Sequence, residues 1–125
     1  MLGTSRTALL VCFLAIVSTP SYADVYPWGQ AEVPLTHHDY KLMSDASQPL
    51  LNDDSLPIGT TREWSNAKSE NHGTVQLLKR FEYQYQGSTL PCRELRYHVV
   101  VKDSADPYNF AFNRCKLADG SWKIF

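Results

Sequence analysis

This 125-residue sequence has no apolar run long enough to cross a bilayer, no block of like charge, no glycine-rich phosphate loop and only three cysteines. Each absence removes a class of protein. A membrane-spanning helix needs roughly 20 apolar residues, and the longest run, Ala8 to Val17, falls well short. The 12 Lys and Arg are interspersed with 13 Asp and Glu, for a formal net charge of −1, so the basic stripe of a nucleic-acid binder is missing. No G-x-S-x-G elbow marks a hydrolytic serine, and no loop is built to cradle phosphate. No C-x-x-C pair and no histidine cluster beside a cysteine is present, which argues against a redox or metal centre. His37 and His38 are neighbours and point about 100° apart on a helix, so they do not chelate one ion together. Asp53-Asp54 lies in a loop and reads as a solvated turn rather than an acid/base pair. The sequence therefore assigns no catalytic residue, metal ligand or cofactor, and the expectation is a protein that is not an enzyme.

At the N-terminus, Arg6 precedes the apolar run Ala8 to Val17, Pro20 ends it, and Ser21-Tyr22-Ala23 places small residues where a signal peptidase reads them. Residues 1–23 are expected to be a signal peptide, cleaved after Ala23. Cys12 has Val11 before it and an apolar run after it, which is not a lipobox, so it is read as signal-peptide filler. Cleavage leaves about 100 residues, enough for one domain with a modest core. Loss of Arg6 takes the net charge from −1 to −2.

Two cysteines remain, in an oxidising compartment, so Cys92 and Cys115 are expected to be bridged. Residues 24–36, with Pro27, Gly29 and Pro34, read as an extended N-terminal arm carrying Tyr26 and Trp28. Thr36 with Asp39 three positions on has the form of a capping box. Tyr40, Met43, Ala46 and Leu50 then recur at helical spacing, over a helix at residues 37–48 that Pro49 should end or kink.

From Thr60 the apolar period changes to two. Val75 to Tyr85, Leu95 to Val101 and Tyr108 to Phe112 read as half-buried strands, and Asp119-Gly120 as a tight turn into Trp122 to Phe125. If Cys92 faces Cys115 across antiparallel strands, Leu95 faces Phe112, Tyr97 faces Phe110 and Val99 faces Tyr108, all on one face. His98–Asn109 and Glu94–Asn113 fall on the other. For the preceding hairpin the same matching pairs Phe81 with Leu95, Leu77 with Val99 and Val75 with Val101. The fold class is α+β: an N-terminal helix packed on a four- to five-stranded antiparallel meander with one disulfide, spanning residues 37–125. Trp122 and Ile124 are placed over the disulfide side.

Arg80, Arg93, Arg96 and Arg114 are the most informative charges. Arg93 and Arg114 face each other beside the bridge, and two guanidinium groups together call for a shared anion. Glu82, Asp119 or a ligand carboxylate are the candidates. Aromatic residues left exposed on the second sheet face would make a binding patch.

The order Glu63-Trp64-Ser65-Asn66, Gly73-Thr74-Val75, Cys92-Arg93, Cys115 and Asp119-Gly120-Ser121-Trp122 resembles the C-terminal domain of the bacterial 17 kDa surface antigen family. The likeness runs over most of residues 39–125 and picks out Trp64, Asn66, Gly73, Arg93, Asp119, Gly120 and Trp122 as structural positions. The lipobox and glycine zipper common in that family are absent. The resemblance implies an exported protein of the periplasm or outer membrane, or a secreted one, with no catalytic chemistry. The expected role is a module binding an envelope protein or cell-wall component, with no nucleic-acid partner. A small secreted inhibitor or ligand-binding effector, presenting Gln86 to Thr89 or Asp103 to Pro107 to an extracellular enzyme, is the alternative.

Overall fold

The computed structural model describes residues 33–125. The signal peptide and the arm up to residue 32, with Tyr26 and Trp28, lie outside the described residues. Among these residues one helix, α1 (His37–Asn52), precedes β1 (Thr61–Ser65), β2 (His72–Tyr85), β3 (Ser88–Val100), β4 (Tyr108–Lys116) and β5 (Trp122–Ile124). The strands form one antiparallel sheet in the order β1-β2-β3-β4-β5. The fold is α+β, as the alternation of periods predicts.

The capping box is complete. The Asp39 backbone N–H donates to Thr36 Oγ1 at 3.1 Å, and the Thr36 N–H donates to Asp39 Oδ2 at 2.8 Å. At the other end the helix does not stop at Pro49 but runs through it to Asn52. Pro49 forfeits one helical hydrogen bond, yet Leu50 and Leu51 just beyond it are fully buried in the core. Packing of that last turn outweighs the lost bond.

On one sheet face, Val75, Leu77, Leu95, Tyr97 and Val99 pack with Met43, Leu50 and Leu51 of α1, and Trp64 of β1 joins them. Tyr108, Phe110 and Phe112 flank this core, their rings stacked in a row at centroid spacings of 6.3 and 6.2 Å. On the other face a smaller cluster gathers Leu90, Cys92 and Cys115, with Phe81 and Leu117 against it. The Cys92–Cys115 disulfide joins directly opposed residues of β3 and β4.

The β3/β4 register agrees with the sequence expectation at every pair, including Leu95 with Phe112 and Val99 with Tyr108. The β2/β3 register does not. Leu77 faces Leu95, Val75 faces Tyr97 and Phe81 faces Cys92. Gln86-Gly87 is a two-residue hairpin turn with φ of 49° and 78°, which starts the ladder at Tyr85 opposite Ser88. Continued without interruption, that ladder would turn Leu77 to the wrong face. A bulge between Leu77 and Lys79 adds one residue and restores it. The bulge thus sends Leu77 and Val75 to the helix side and Phe81 to the disulfide side.

Trp122 also differs from expectation. It lies on the helix side, against the main core, and donates from Nε1 to Asn52 Oδ1 at 3.1 Å. Ile124 faces Arg114 in the same register. Phe125 is the residue that reaches the disulfide side, beside Tyr83 and Tyr85.

Candidate functional site

Three polar or aromatic constellations stand out. The first lies at the N-terminal end of α1. The Asp39 side chain is fully buried, and its two oxygens accept four hydrogen bonds at 2.7–2.8 Å, from Thr36 N–H, Asn66 Nδ2, Ser69 Oγ and Asn71 Nδ2. Burial alone pushes its pKa up, but the donors from Ser69, Asn71, Thr36 and Asn66 outweigh it and hold the carboxyl below its ordinary 3.8. Asn71 Oδ1 in turn accepts from the Lys102 N–H, at the end of β3. The group ties helix, β1–β2 turn and β3 together, and its lone pairs are already engaged. Its sequence position as a capping residue was evident; the roles of Ser69 and Asn71 carry no local signal, because the contacts span 30 and 32 residues.

The second is a row of arginines across three strands. Arg80 of β2 faces Arg93 of β3, which faces Arg114 of β4. Like charges directly opposed on a sheet are unfavourable, so each needs an acceptor. Arg80 Nη2 donates to the carbonyls of Leu56 at 2.6 Å and Asp53 at 3.3 Å. These carbonyls follow the C-terminus of α1, which has no basic residue in its own last turn. Arg93, buried to 8% exposure, donates to Cys92 O and to Asp54 Oδ1, both at 2.7 Å, and lies 5.6 Å from the Trp122 ring. Arg114 lies beside the Tyr97 hydroxyl, whose pKa is raised by burial. The carboxylate beside Arg93 is Asp54, not Glu82 or Asp119, and it is shared with Arg80 rather than with Arg114; Asp119 is occupied by the N–H and hydroxyl of Ser121 in its own turn. Arg96 projects from the opposite face and is exposed.

The third is aromatic. Tyr83, Tyr85 and Phe125 are 46%, 39% and 41% exposed, and the Phe125 ring lies 5.7 Å from Tyr83 and 5.1 Å from Tyr85. Beside them a cleft of about 430 Å³ is lined by Tyr85, Gln86, Thr89, Leu90, Lys116 and Leu117, among others. Here β2 has run past its neighbour. The β1/β2 ladder ends at Gln76, and Gly59 and Thr60 take the backbone of Leu77, after which no strand flanks the outer edge of β2 among the described residues.

The remaining residues picked out by the sequence resemblance have structural surroundings. Trp64 and Asn66 are buried, and Gly120 takes a φ of 87° in the β4–β5 turn. At Gly73, an added Cβ would collide with the carbonyl oxygen of His98 and lie 3.0 Å from Trp64 Nε1. Arg93 and Trp122 belong to the arginine row. His98 Nδ1 pairs with Asn109 Oδ1 at 2.8 Å, as the register predicts. No group of three His, Cys, Asp or Glu among the described residues is arranged to hold a metal ion, and no described helix is long and apolar enough to cross a membrane.

No family model matches this chain, and no curated protein or solved structure matches it either.

Proposed function

We propose that this protein is an exported, non-enzymatic binding module of the bacterial cell envelope, and that it takes a protein partner through the disulfide side of its sheet. The observation that carries the reading is the cluster of Tyr83, Tyr85 and Phe125, three exposed rings in contact at the open end of β2. Exposed aromatic groups gathered in one place favour a macromolecular contact. The free outer edge of β2 beside them supplies backbone donors and acceptors for an extended segment of the partner. The disulfide lies on the same sheet face, clustered with Leu90, which is opposite Tyr83, in keeping with an oxidising compartment. The non-enzymatic part rests on how the reactive groups are engaged. Both described cysteines are bonded to each other, Asp39 is saturated by donors, and His98 is held by Asn109.

The test is site-specific photo-cross-linking in the native cell, with the photoreactive residue at Tyr83 and, as a control, at the exposed Lys41 of α1. A defined envelope protein captured from Tyr83 and not from Lys41, with the chain itself in the osmotic-shock or outer-membrane fraction, supports the reading. Recovery in the cytosol with free thiols defeats it. Recovery in the culture medium with an extracellular enzyme attached replaces it with the secreted-inhibitor reading.

A further inference from the structure

We infer that the arginine row of Arg80, Arg93 and Arg114 is an oxyanion site, in which Asp54 stands in for a carboxylate or phosphate group of the bound partner. The inference rests on the binding-module reading and names the chemistry its partner would bring. Charge is the first argument. Three guanidinium groups stand in register, Lys116 lines a cleft with Arg93, and among the described residues one carboxylate, Asp54, contacts the row, at Arg93 and Arg80. Asp53 follows the same helix but is occupied by the Ser55 hydroxyl and N–H.

Asp54 is also a loose partner. Its side chain is 78% exposed, and it meets Arg93 at 2.7 Å and Arg80 at 4.0 Å through the same oxygen, Oδ1. A guanidinium is best satisfied by two parallel bonds to a planar or tetrahedral oxyanion, and this geometry supplies one. The Nε–H groups of Arg80, Arg93 and Arg114 are all buried and all lack an acceptor. Three unsatisfied cationic donors in one row are a costly arrangement for structure alone. Helix capping accounts for Arg80 through Leu56 and Asp53, and the Tyr97 hydroxyl takes part of Arg114, but neither accounts for the three Nε–H groups.

Space and access agree. A cleft of about 110 Å³ opens at Arg93, the middle arginine of the row, and is lined also by Asn52, Asp54, Pro91, Lys116 and Trp122. That volume holds several waters or one oxyanion. Pro91 and Lys116 also line the larger cleft beside Tyr85, so the two clefts share a rim, and a partner on the disulfide-side rings reaches the helix-side row around it. The exposed loop position of Asp54 lets it swing out when a stronger anion enters.

The experiment uses the oxidised chain, with acetate and inorganic phosphate as probes and chloride at matched ionic strength as the reference. In the unaltered protein, the Arg Nε–H resonances of Arg93 and Arg114 are expected to shift saturably with one or both probes. In Asp54→Asn the same probes are expected to bind about tenfold tighter, because the internal competitor is gone, and Arg93→Gln is expected to abolish binding. A stronger response to acetate identifies a carboxylate of a polypeptide as the natural group; a stronger response to phosphate identifies a phosphorylated one. No saturable shift in the unaltered protein, or equal affinity with and without Asp54, overturns the inference and leaves the row as a cap for α1. Cross-linking from Tyr83 that persists in Arg93→Gln, once the NMR titration has failed, removes the anion site and leaves the binding-module reading standing.

Discussion

Asp39 and Gly73 show what single residues contribute here, and neither role is one its own type announces. A buried carboxylate without a cation is costly unless its lone pairs are filled, and Asp39 has four donors, two of them side-chain amides. Asp39→Asn removes the charge and turns an amide donor against donors. The expected loss is about 3 kcal/mol, read as a lower urea midpoint at pH 7. The sign with pH follows from the depressed folded pKa. The contribution is whole above the ordinary value of 3.8 and drains away as the pH falls below it, through the folded value. The asparagine variant has no such titration, so the difference between the two proteins should shrink below pH 3.8 and stay constant above it. Gly73 is required by space rather than by torsion. A Cβ there meets the backbone carbonyl of His98, which belongs to the central strand and has nowhere to move. Gly73→Ala is expected to cost about 3 kcal/mol by thermal unfolding, with the largest chemical-shift changes at Trp64 and His98.

At the scale of elements, the β2–β3 hairpin separates what the sequence displays from what it conceals. The β3/β4 register was legible because two cysteines anchor it and three apolar pairs agree with the anchor. The β2/β3 register has no such anchor, and matching apolar residues across it favours an unbroken ladder. A bulge leaves little mark of its own in alternation: it changes the parity of the strand at Leu78, and Leu78 is as apolar as Leu77 before it. The turn was the better guide, since Gln86-Gly87 closes a two-residue loop and thereby fixes Tyr85 opposite Ser88. The cost falls on Gln86, whose φ of 49° is one that a side chain with no short polar group adopts reluctantly. Gln86→Asn places the favoured Asn-Gly pair in the same turn and should stabilise the hairpin by about 0.5 kcal/mol, seen as a raised thermal midpoint with the aromatic contacts of Tyr85 unchanged. The candidate site was legible in part for the same reason. Arg93 opposite Arg114 follows from the anchored register, whereas Arg80 joins the row through the register that the Gln86-Gly87 turn sets, and Asp54 arrives from a loop 39 residues away in sequence.

The whole molecule is a sheet with two unequal cores. The helix-side core holds Leu50, Leu51, Val75, Leu77, Leu95, Tyr97 and Val99 and is closed by α1. Among the described residues the other side has no helix, and its cluster of Leu90, Cys92 and Cys115 is flanked by Phe81 and Leu117. A covalent link substitutes there for the apolar area that a second layer would bury. The bridge spans a sequence separation of 23, and closing a loop of that size contributes about 3 kcal/mol on the chain-entropy estimate. Its effect on the two sides should differ. Cys92→Ala with Cys115→Ala is expected to lower global stability by about that amount while leaving the helix-side amides the slowest to exchange. Amides of residues 81–92 and 113–117, the strand segments around the bridge, should exchange orders of magnitude faster, because their local opening no longer has to stretch a closed loop. Uniform acceleration across both faces would mean that the sheet opens as one unit and that the bridge sets only its overall stability. Selective acceleration on the disulfide side would mean that the bridge holds the ring surface in place, and cross-linking from Tyr83 should then fail in the cysteine-free protein while the fold persists.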